Sequence, residues 1–537
     1  MHDFETHEVS NQASPFAGVN LFACDLALQE AVAREGAAWA VPALQALGAT
    51  LGQPDTLELG RLANAHTPQL HQFDRAGNRI DTVEFHPAWH TLMRMMVEAG
   101  GIAGPWTAQQ AGGQVARAAQ YLLFGQVENG AQCPVTMSYA SVPALRQAPA
   151  LAATWLPKLL SGKYDPRALP IAQKEGALVG MGMTEKQGGS DLRANTTRAE
   201  PALDGSWRIV GHKWFFSVPQ SDAHLILAQA EEGLSCFLVP RLLDDGSRNA
   251  IRVQRLKDKL GNRSNASSEV EFCGATGYLL GQPGRGIATI LEMGSHTRLD
   301  CVLGSAGIMR AALTRALHHA RERAAFGRKL AEQPLMQNVL ADLALESEAA
   351  TAFAMRLARC FDNPADAALG RILTPAGKYW LCKRGPAVCC EAMEVMGGNG
   401  YVEEGPLARL YREAPVNSIW EGSGNVMCLD LLRALARTPA AREALAAELA
   451  LAQEPRYDGA CALLLADLEG EQEEFGARRL AERIVVAVQA GLLLRHAPAA
   501  VSDAFIASRI VAPVGGAFGR LPPGTDCGAI LARALVG

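Results

Sequence analysis

Five short segments of this chain hold side chains that can take a proton or grip a flat or phosphorylated ligand. The sharpest is Trp420-Glu421-Gly422-Ser423-Gly424-Asn425, a carboxylate at a glycine-rich corner just ahead of an apolar helical run, residues 426–435. A carboxylate in a dry pocket becomes a stronger base, suited to removing a carbon-bound proton; the same carboxylate at a helix start is also a cap. In Gly182-Met183-Thr184-Glu185-Lys186-Gln187-Gly188-Gly189-Ser190-Asp191, glycines let backbone N–H groups approach a ring or phosphate, and hydroxyls add donors. Read alone, that loop is equally a plain turn. Gly211-His212-Lys213-Trp214-Phe215-Phe216-Ser217 offers aromatic faces followed by a hydroxyl, either a stacking platform for a flat cofactor or part of a core. Arg323-Ala324-Ala325-Phe326-Gly327-Arg328 puts arginines where they can hold phosphate or stay solvated. The glycines of Glu394-Val395-Met396-Gly397-Gly398-Asn399-Gly400-Tyr401 cradle a pyrophosphate or end a helix. His86 and His90 stand at a metal-ligand spacing, but no third ligand lies near and Pro87 interrupts a regular helix, so a structural role and no metal site are expected.

The elements that must position these groups follow from periodicity. Residues 1–180 read as helices joined by polar loops, including 26–35, 89–98 and 108–124, the last with Thr107 as its expected N-cap. Between 181 and 284 the segments become short and β-like, at 207–210, 224–230, 235–239 and 269–272, with a hairpin turn at Asp204-Gly205. Long helical periods return over 285–438, and Thr438-Pro439 opens a further helical block, 439–537, with a Gly/Pro-rich loop at 513–528. The expected architecture is mainly α with a β-barrel insert: helical N-terminal domain, central β domain, helical bundle and C-terminal helical extension.

Composition narrows the classes. The 537 residues are 49% hydrophobic and 20% charged, with a net charge of -5, so no whole-chain basic field for nucleic acid exists. The first ten residues have neither the cationic nor the apolar stretch of a signal peptide. The run 484–494, broken by Gln489, falls short of the roughly 20 residues a membrane span needs. The twelve cysteines form no CxxC pair, which suits reduced thiols in a cytoplasmic protein.

Taken together and in order, the motifs resemble the acyl-CoA dehydrogenase family over about residues 150–435. The loop 182–191 matches its first signature, and residues 394–413, with Arg409 and Glu413, match the second. A narrower resemblance is to the AidB branch. It rests on His7-Glu8-Val9-Ser10-Asn11-Gln12, Asn20-Leu21-Phe22, Arg34-Glu35-Gly36-Ala37 and residues 81–90, together with the C-terminal extension.

The resemblance implies an acyl-CoA-dehydrogenase-like fold, FAD as cofactor and an FAD-dependent oxidoreductase in which Glu421 removes the α-proton of an acyl-CoA while a hydride passes to flavin N5. Some family members carry the base on an earlier helix; that place falls near His296 and holds no carboxylate. Implied flavin contacts are Met183, Thr184, Gly189, Ser190, Phe215, Phe216, Ser217, Gly422, Ser423 and Asn425, with Phe215 where relatives usually have Trp and Ser217 where they have Thr. Arg323, Gly397, Gly398 and Gly400 are implied to hold phosphates or adenine across the interface of a homotetramer. Pro334, with Gln333 beside it, replaces a usual cofactor-contacting Gln. The AidB branch further implies feeble dehydrogenase activity, a link to the DNA alkylation response and duplex DNA binding, for which Arg433, Arg437, Arg478, Arg479 and Arg483 are the candidate phosphate contacts. Against that, residues 440–537 hold nine arginines, no lysine and twelve carboxylates. The alternative is an ordinary acyl-CoA dehydrogenase of fatty-acid or branched-chain catabolism with no DNA role.

Overall fold

The computed structural model describes residues 6–108, 110–470, 473–512 and 516–536. The first five residues, Glu471 and the start of the 513–528 loop, which entered the readings above, lie outside them. The chain divides into two compact units: Asp55–Cys301 with Ile419–Val426, and Met1–Pro54 with Val302–Ser418 and Met427–Gly537. Chain order and compactness therefore differ, because segments distant in sequence complete each unit.

The first unit is built on a barrel. Its strands are preceded by a hairpin, β1 (Gln69–Phe73) and β2 (Arg79–Glu84), in a region where the periodicity predicts only helices. The hairpin is tied by Gln72 and Arg79 to the Val253 carbonyl, long-range bonds that no local pattern encodes. The barrel strands are β3 (Val179–Gly182), β4 (Arg198–Pro201), β5 (Trp207–Ser217), β6 (Ala223–Ala230), β7 (Gly233–Pro240), β8 (Ile251–Leu256) and β9 (Ser267–Leu280). The ring runs β6-β4-β5-β9-β7 and closes by the antiparallel β6–β7 pairing, with β3 added to β6 and β8 to β9. Alternate residues fill it: Ile209, Phe216, Ile226, Phe237, Val253, Val270 and Phe272 form one core. The expected turn between β4 and β5 is present, Gly205 supplying φ +84°.

Four helical segments of this unit bear on the site: Pro87–Glu98, Gly113–Phe124, Gln132–Leu145 and the front of Gly286–Glu322. His86 caps the first through Nδ1, which accepts from the Ala88 N–H at 3.2 Å, and Pro87 takes the first turn, where its missing N–H costs nothing. Thr107 does not start the next long helix. A one-turn helix, Gly104–Thr107, ends there, and the long helix begins at Gly113 after Gly112 at φ +85°. The left-handed glycine overrides the Thr signal, because it reverses the chain where a Thr cap would continue it. Arg117 and Asp300 then join two of these segments through paired bonds of 2.6 and 2.7 Å.

The second unit is a bundle around Pro334–Asp362, Ala367–Val395 and Ala477–His496. Its late segments are fastened by buried ion pairs: Glu448 accepts from Arg356 at 2.8 Å and Arg495 at 2.6 Å, and Arg509 reaches Asp342 and Glu346. Arg310 donates to the Cys24 carbonyl at 2.7 Å. Among the described residues, no helix is long and apolar enough to cross a membrane.

Candidate active site

Glu421 sits in a tight turn at φ +58°, a left-handed conformation that costs a non-glycine residue energy and points to a built site. Its Oε2 accepts a hydrogen bond from Thr297 Oγ1 at 2.7 Å, and its backbone carbonyl accepts from Arg298 Nε at 3.2 Å. Trp420, just before it, packs on a cluster of Cys133, Met137 and Val218, with Met181 alongside. Val218 is β-branched yet held at φ +54°, a second strained backbone beside the first.

Cys133 belongs to that apolar cluster. Burial pushes its thiol up to about 11, and the Glu421 carboxylate adds to the rise. A neutral thiol thus lies in the cluster on which Trp420 packs.

The glycine loop is held from beneath. Glu185, fully buried, accepts from Lys213 Nζ at 2.8 Å, from the Thr196 N–H at 2.6 Å and from the Thr197 N–H at 3.2 Å. Burial pushes the Glu185 carboxyl up, but Lys213 and the hydrogen bonds outweigh it and the net shift is down, to about 2. The loop is stitched to β5 by the Trp214 N–H, which donates to the Thr184 carbonyl at 2.9 Å. A Cβ at Gly189 would lie 2.3 Å from Thr184 Oγ1, and one at Gly182 would lie 2.4 Å from the Phe216 ring, so both positions demand glycine.

A bulge in β5 decides which aromatics are offered. Between Lys213 and Phe216 the register against β9 slips. Trp214 and Phe215 consequently both leave the core, and Phe215 is 51% exposed. Lys257 Nζ lies 3.3 Å from the Trp214 ring centroid and 4.7 Å from that of Phe215. Phe216, expected to contact the cofactor, turns inward: it is 1% exposed and stacks on His224 at 3.9 Å. The ring of Phe216 therefore packs in the barrel core, on the opposite face of β5 from Phe215.

Comparison with known proteins now decides the family. The chain is 51% identical over 512 residues to "Putative acyl-CoA dehydrogenase AidB" of Escherichia coli, covering 94% of each chain. The chain belongs to the acyl-CoA dehydrogenase family. Its members are FAD-dependent oxidoreductases, and this chain is one of them by sequence and fold. Residues 11–166 match the adaptive response protein AidB N-terminal domain, 180–274 the acyl-CoA dehydrogenase middle domain and 284–436 the acyl-CoA dehydrogenase C-terminal domain. Acyl-CoA dehydrogenase family member 11 of Caenorhabditis elegans is 30% identical over 70% of this chain and 63% of that one. Among solved structures, apo Bd2924 superposes with a TM-score of 0.82 at 29% identity, covering 90% of this chain and 99% of that one. C. elegans ACDH-11 in complex with C11-CoA superposes at 0.84 with 24% identity, covering 99% and 94%.

The expected flavin-contact residues fall in both units. Met183, Thr184, Gly189, Ser190, Phe215, Ser217, Glu421, Gly422, Ser423 and Asn425 belong to the barrel unit. Half-buried Thr184, exposed Phe215 and the Ser217 hydroxyl form a donor and π-face set that fits a flat, hydrogen-bonding ring such as FAD's isoalloxazine. Arg323, Gly397, Gly398 and Gly400 belong to the other unit. There the Arg323 guanidinium donates to the Asn11 carbonyl, and Asn11 Oδ1 accepts from the Ala324 N–H at 2.7 Å. Gly397 adopts φ +59°, and a Cβ at Gly400 would lie 2.3 Å from the Met393 carbonyl oxygen. Pro334 opens the helix Pro334–Asp362, and Gln333, at its N-cap position, donates its side chain to the Ala325 carbonyl at 3.0 Å instead of capping the helix.

Sequence reasoning missed Thr297, Cys133 and Val218. A threonine, a lone cysteine and a valine carry no spacing signal.

Proposed function

We propose that this protein dehydrogenates an acyl-CoA, with Glu421 as the base. The carrying observation is Glu421 itself: a strained-backbone carboxylate, paired to Thr297, directly after the Trp420 that packs on the Cys133–Met137–Val218 cluster. Met183, Thr184, Gly189, Ser190, Phe215, Ser217, Gly422, Ser423 and Asn425 would hold FAD, which when bound accepts a hydride. Glu421 takes the α-proton of the thioester, the β-hydride leaves with its electron pair, and an α,β-unsaturated thioester remains. Trp420, Met137 and Met181 exclude water from the carboxylate, and Ser217 offers its hydroxyl as a donor. The C11-CoA bound by the C. elegans relative supports an acyl-CoA as substrate.

The test is anaerobic bleaching of the flavin band by acyl-CoAs graded from butyryl to palmitoyl. Positioned proton transfer contributes about 10²–10⁴-fold, so Glu421→Gln is expected to slow reduction by that factor. Equal bleaching by variant and parent removes Glu421 from the mechanism.

Two finer readings accompany this one. The tetramer implied by the family is supported by the exposed side chains Phe326, Leu335 and Tyr401, which flank the arginine and glycine loops of the second unit; sedimentation decides it. The AidB match supports a role in the alkylation response with duplex DNA binding. Arg433, Arg437, Arg478 and Arg479 are exposed; Arg433 lies 3.7 Å from Asp430, Arg478 lies 5.8 Å from the Tyr379 ring centroid, and Arg483 pairs with Asp467. Binding to a duplex should weaken with salt and on Arg437→Glu with Arg479→Glu; salt-independent binding refutes it.

A further inference from the structure

One hydroxyl serves two acceptors at the base. Thr297 Oγ1 lies 2.7 Å from Glu421 Oε2 and 3.0 Å from the Gly294 carbonyl oxygen on its own helix, and Thr297 is 1% exposed. It carries a single proton, which can go to only one of them. With Glu421 ionised, the bond to the carboxylate is charge-assisted, about twice as strong as a neutral one, and takes the proton. Once Glu421 has accepted a proton, its O–H can donate back to Thr297 Oγ1, and the Thr297 proton turns to Gly294. Both states are satisfied, but the ionised one more strongly. The backbone on either side fixes the geometry: Glu421 is held at φ +58°, and Arg298, the neighbour of Thr297, donates to its carbonyl.

We propose that Thr297 is a positioning residue that points the Glu421 carboxylate and restrains its basicity by stabilising the ionised form. The proposal rests on Glu421 being the base. It identifies a residue through which this site trades proton affinity for a base that stays ionised, and therefore ready, at lower pH.

The experiment uses the FAD-loaded protein and 3-thiabutyryl-CoA, whose acidic α-proton is removed without hydride transfer. The resulting anion against oxidised flavin gives a long-wavelength charge-transfer band, read as a function of pH. Removing the hydroxyl with Thr297→Val is expected to move the acid limb of that profile up by about one pH unit, the difference between a charge-assisted and a neutral hydrogen bond. Thr297→Ser, which keeps the hydroxyl, should superimpose on the parent. If Thr297→Val does not retain FAD, Thr297→Ala against Thr297→Ser makes the same comparison. Coincident limbs for the parent and the hydroxyl-free variant overturn the proposal, as does a Thr297→Ser limb displaced like that of Thr297→Val. Glu421→Gln separates the two failures. A band that survives in that variant overturns the assignment of the base, whereas a dark Glu421→Gln with an unmoved Thr297→Val overturns only the role of Thr297.

Discussion

Replacing Asp300 by Asn should loosen the part of the barrel unit that carries Thr297. Arg117 and Asp300 are 2% and 1% exposed, and both are multiply hydrogen-bonded. Arg117 gives Nη1 and Nη2 to the two Asp300 oxygens at 2.6 and 2.7 Å and Nε to the Gly101 carbonyl at 2.7 Å, while Thr136 Oγ1 donates to Asp300 Oδ2 at 2.7 Å. The guanidinium carbon lies 3.5 Å from the Tyr139 ring centroid, so no water can approach that face. Burial pushes the Arg117 guanidinium down, but Asp300 pulls harder and the net shift is upward. An Asn keeps one acceptor, turns the other contact into donor against donor and leaves the cation uncompensated. Breaking a buried pair this way costs about 3–5 kcal/mol, a loss of roughly two to nearly four powers of ten in local opening equilibrium. A two-unit chain is not expected to unfold in one step, so the readout is native-state amide exchange in residues 113–124, 132–145 and 286–301. Exchange there should accelerate by that factor and Glu421-dependent flavin reduction should fall with it, since Thr297 lies one helical turn before Asp300. Arg117→Met combined with Asp300→Leu should recover most of the protection, because apolar residues of similar volume often match or exceed a buried ion pair. Unchanged exchange in Asp300→Asn, or a double variant as poorly protected as the single, refutes the reasoning.

Other outcomes are expected at the loop and the barrel. Lys213→Met leaves Glu185 buried without its cation and should destabilise the barrel by about 3–5 kcal/mol, seen as FAD loss at lower urea than the parent. Gly189→Ala drives a methyl to 2.3 Å from Thr184 Oγ1, so the loop must move; FAD affinity measured by flavin fluorescence should drop at least tenfold while the far-ultraviolet dichroism stays unchanged. His224 is buried against Phe216, and burial holds its imidazole down at about 3, below its ordinary 6.5. The unfolded chain therefore binds the extra proton first. The neutral imidazole's contribution is intact above about pH 6.5 and is lost as pH falls towards 3, with a slope of up to about 1.4 kcal/mol per pH unit. In urea titrations across that window His224→Gln should show a shallower dependence than the parent, and identical slopes refute the assignment.

What was legible beforehand sorts by the range of the interaction that creates it. The segment 207–210 announces itself by β-forming residues and a preceding Asp-Gly turn, and the hairpin forms there, although the strand runs on to Ser217. The hairpin Gln69–Phe73 with Arg79–Glu84 has no such local signal, because Val253, 181 residues from Gln72 and 174 from Arg79, accepts its bonds. The same contrast holds at the site. Glu421, Thr184, Gly189 and Ser217 are conspicuous because glycine-rich and aromatic spacing is a local signal. Which of the three aromatics turns inward is not local: a bulge set by pairing with β9 puts Trp214 and Phe215 on one face and sends Phe216 into the core. Thr297 carries no local signal, because a threonine in a helix is ordinary until a residue 124 positions later bends back to it. The motif supplies the carboxylate proposed as the base, and the fold adds the distant hydroxyl that hydrogen-bonds it. A base identified from its motif alone is thus known in kind but not in strength, and its strength depends on contacts that only the folded chain creates.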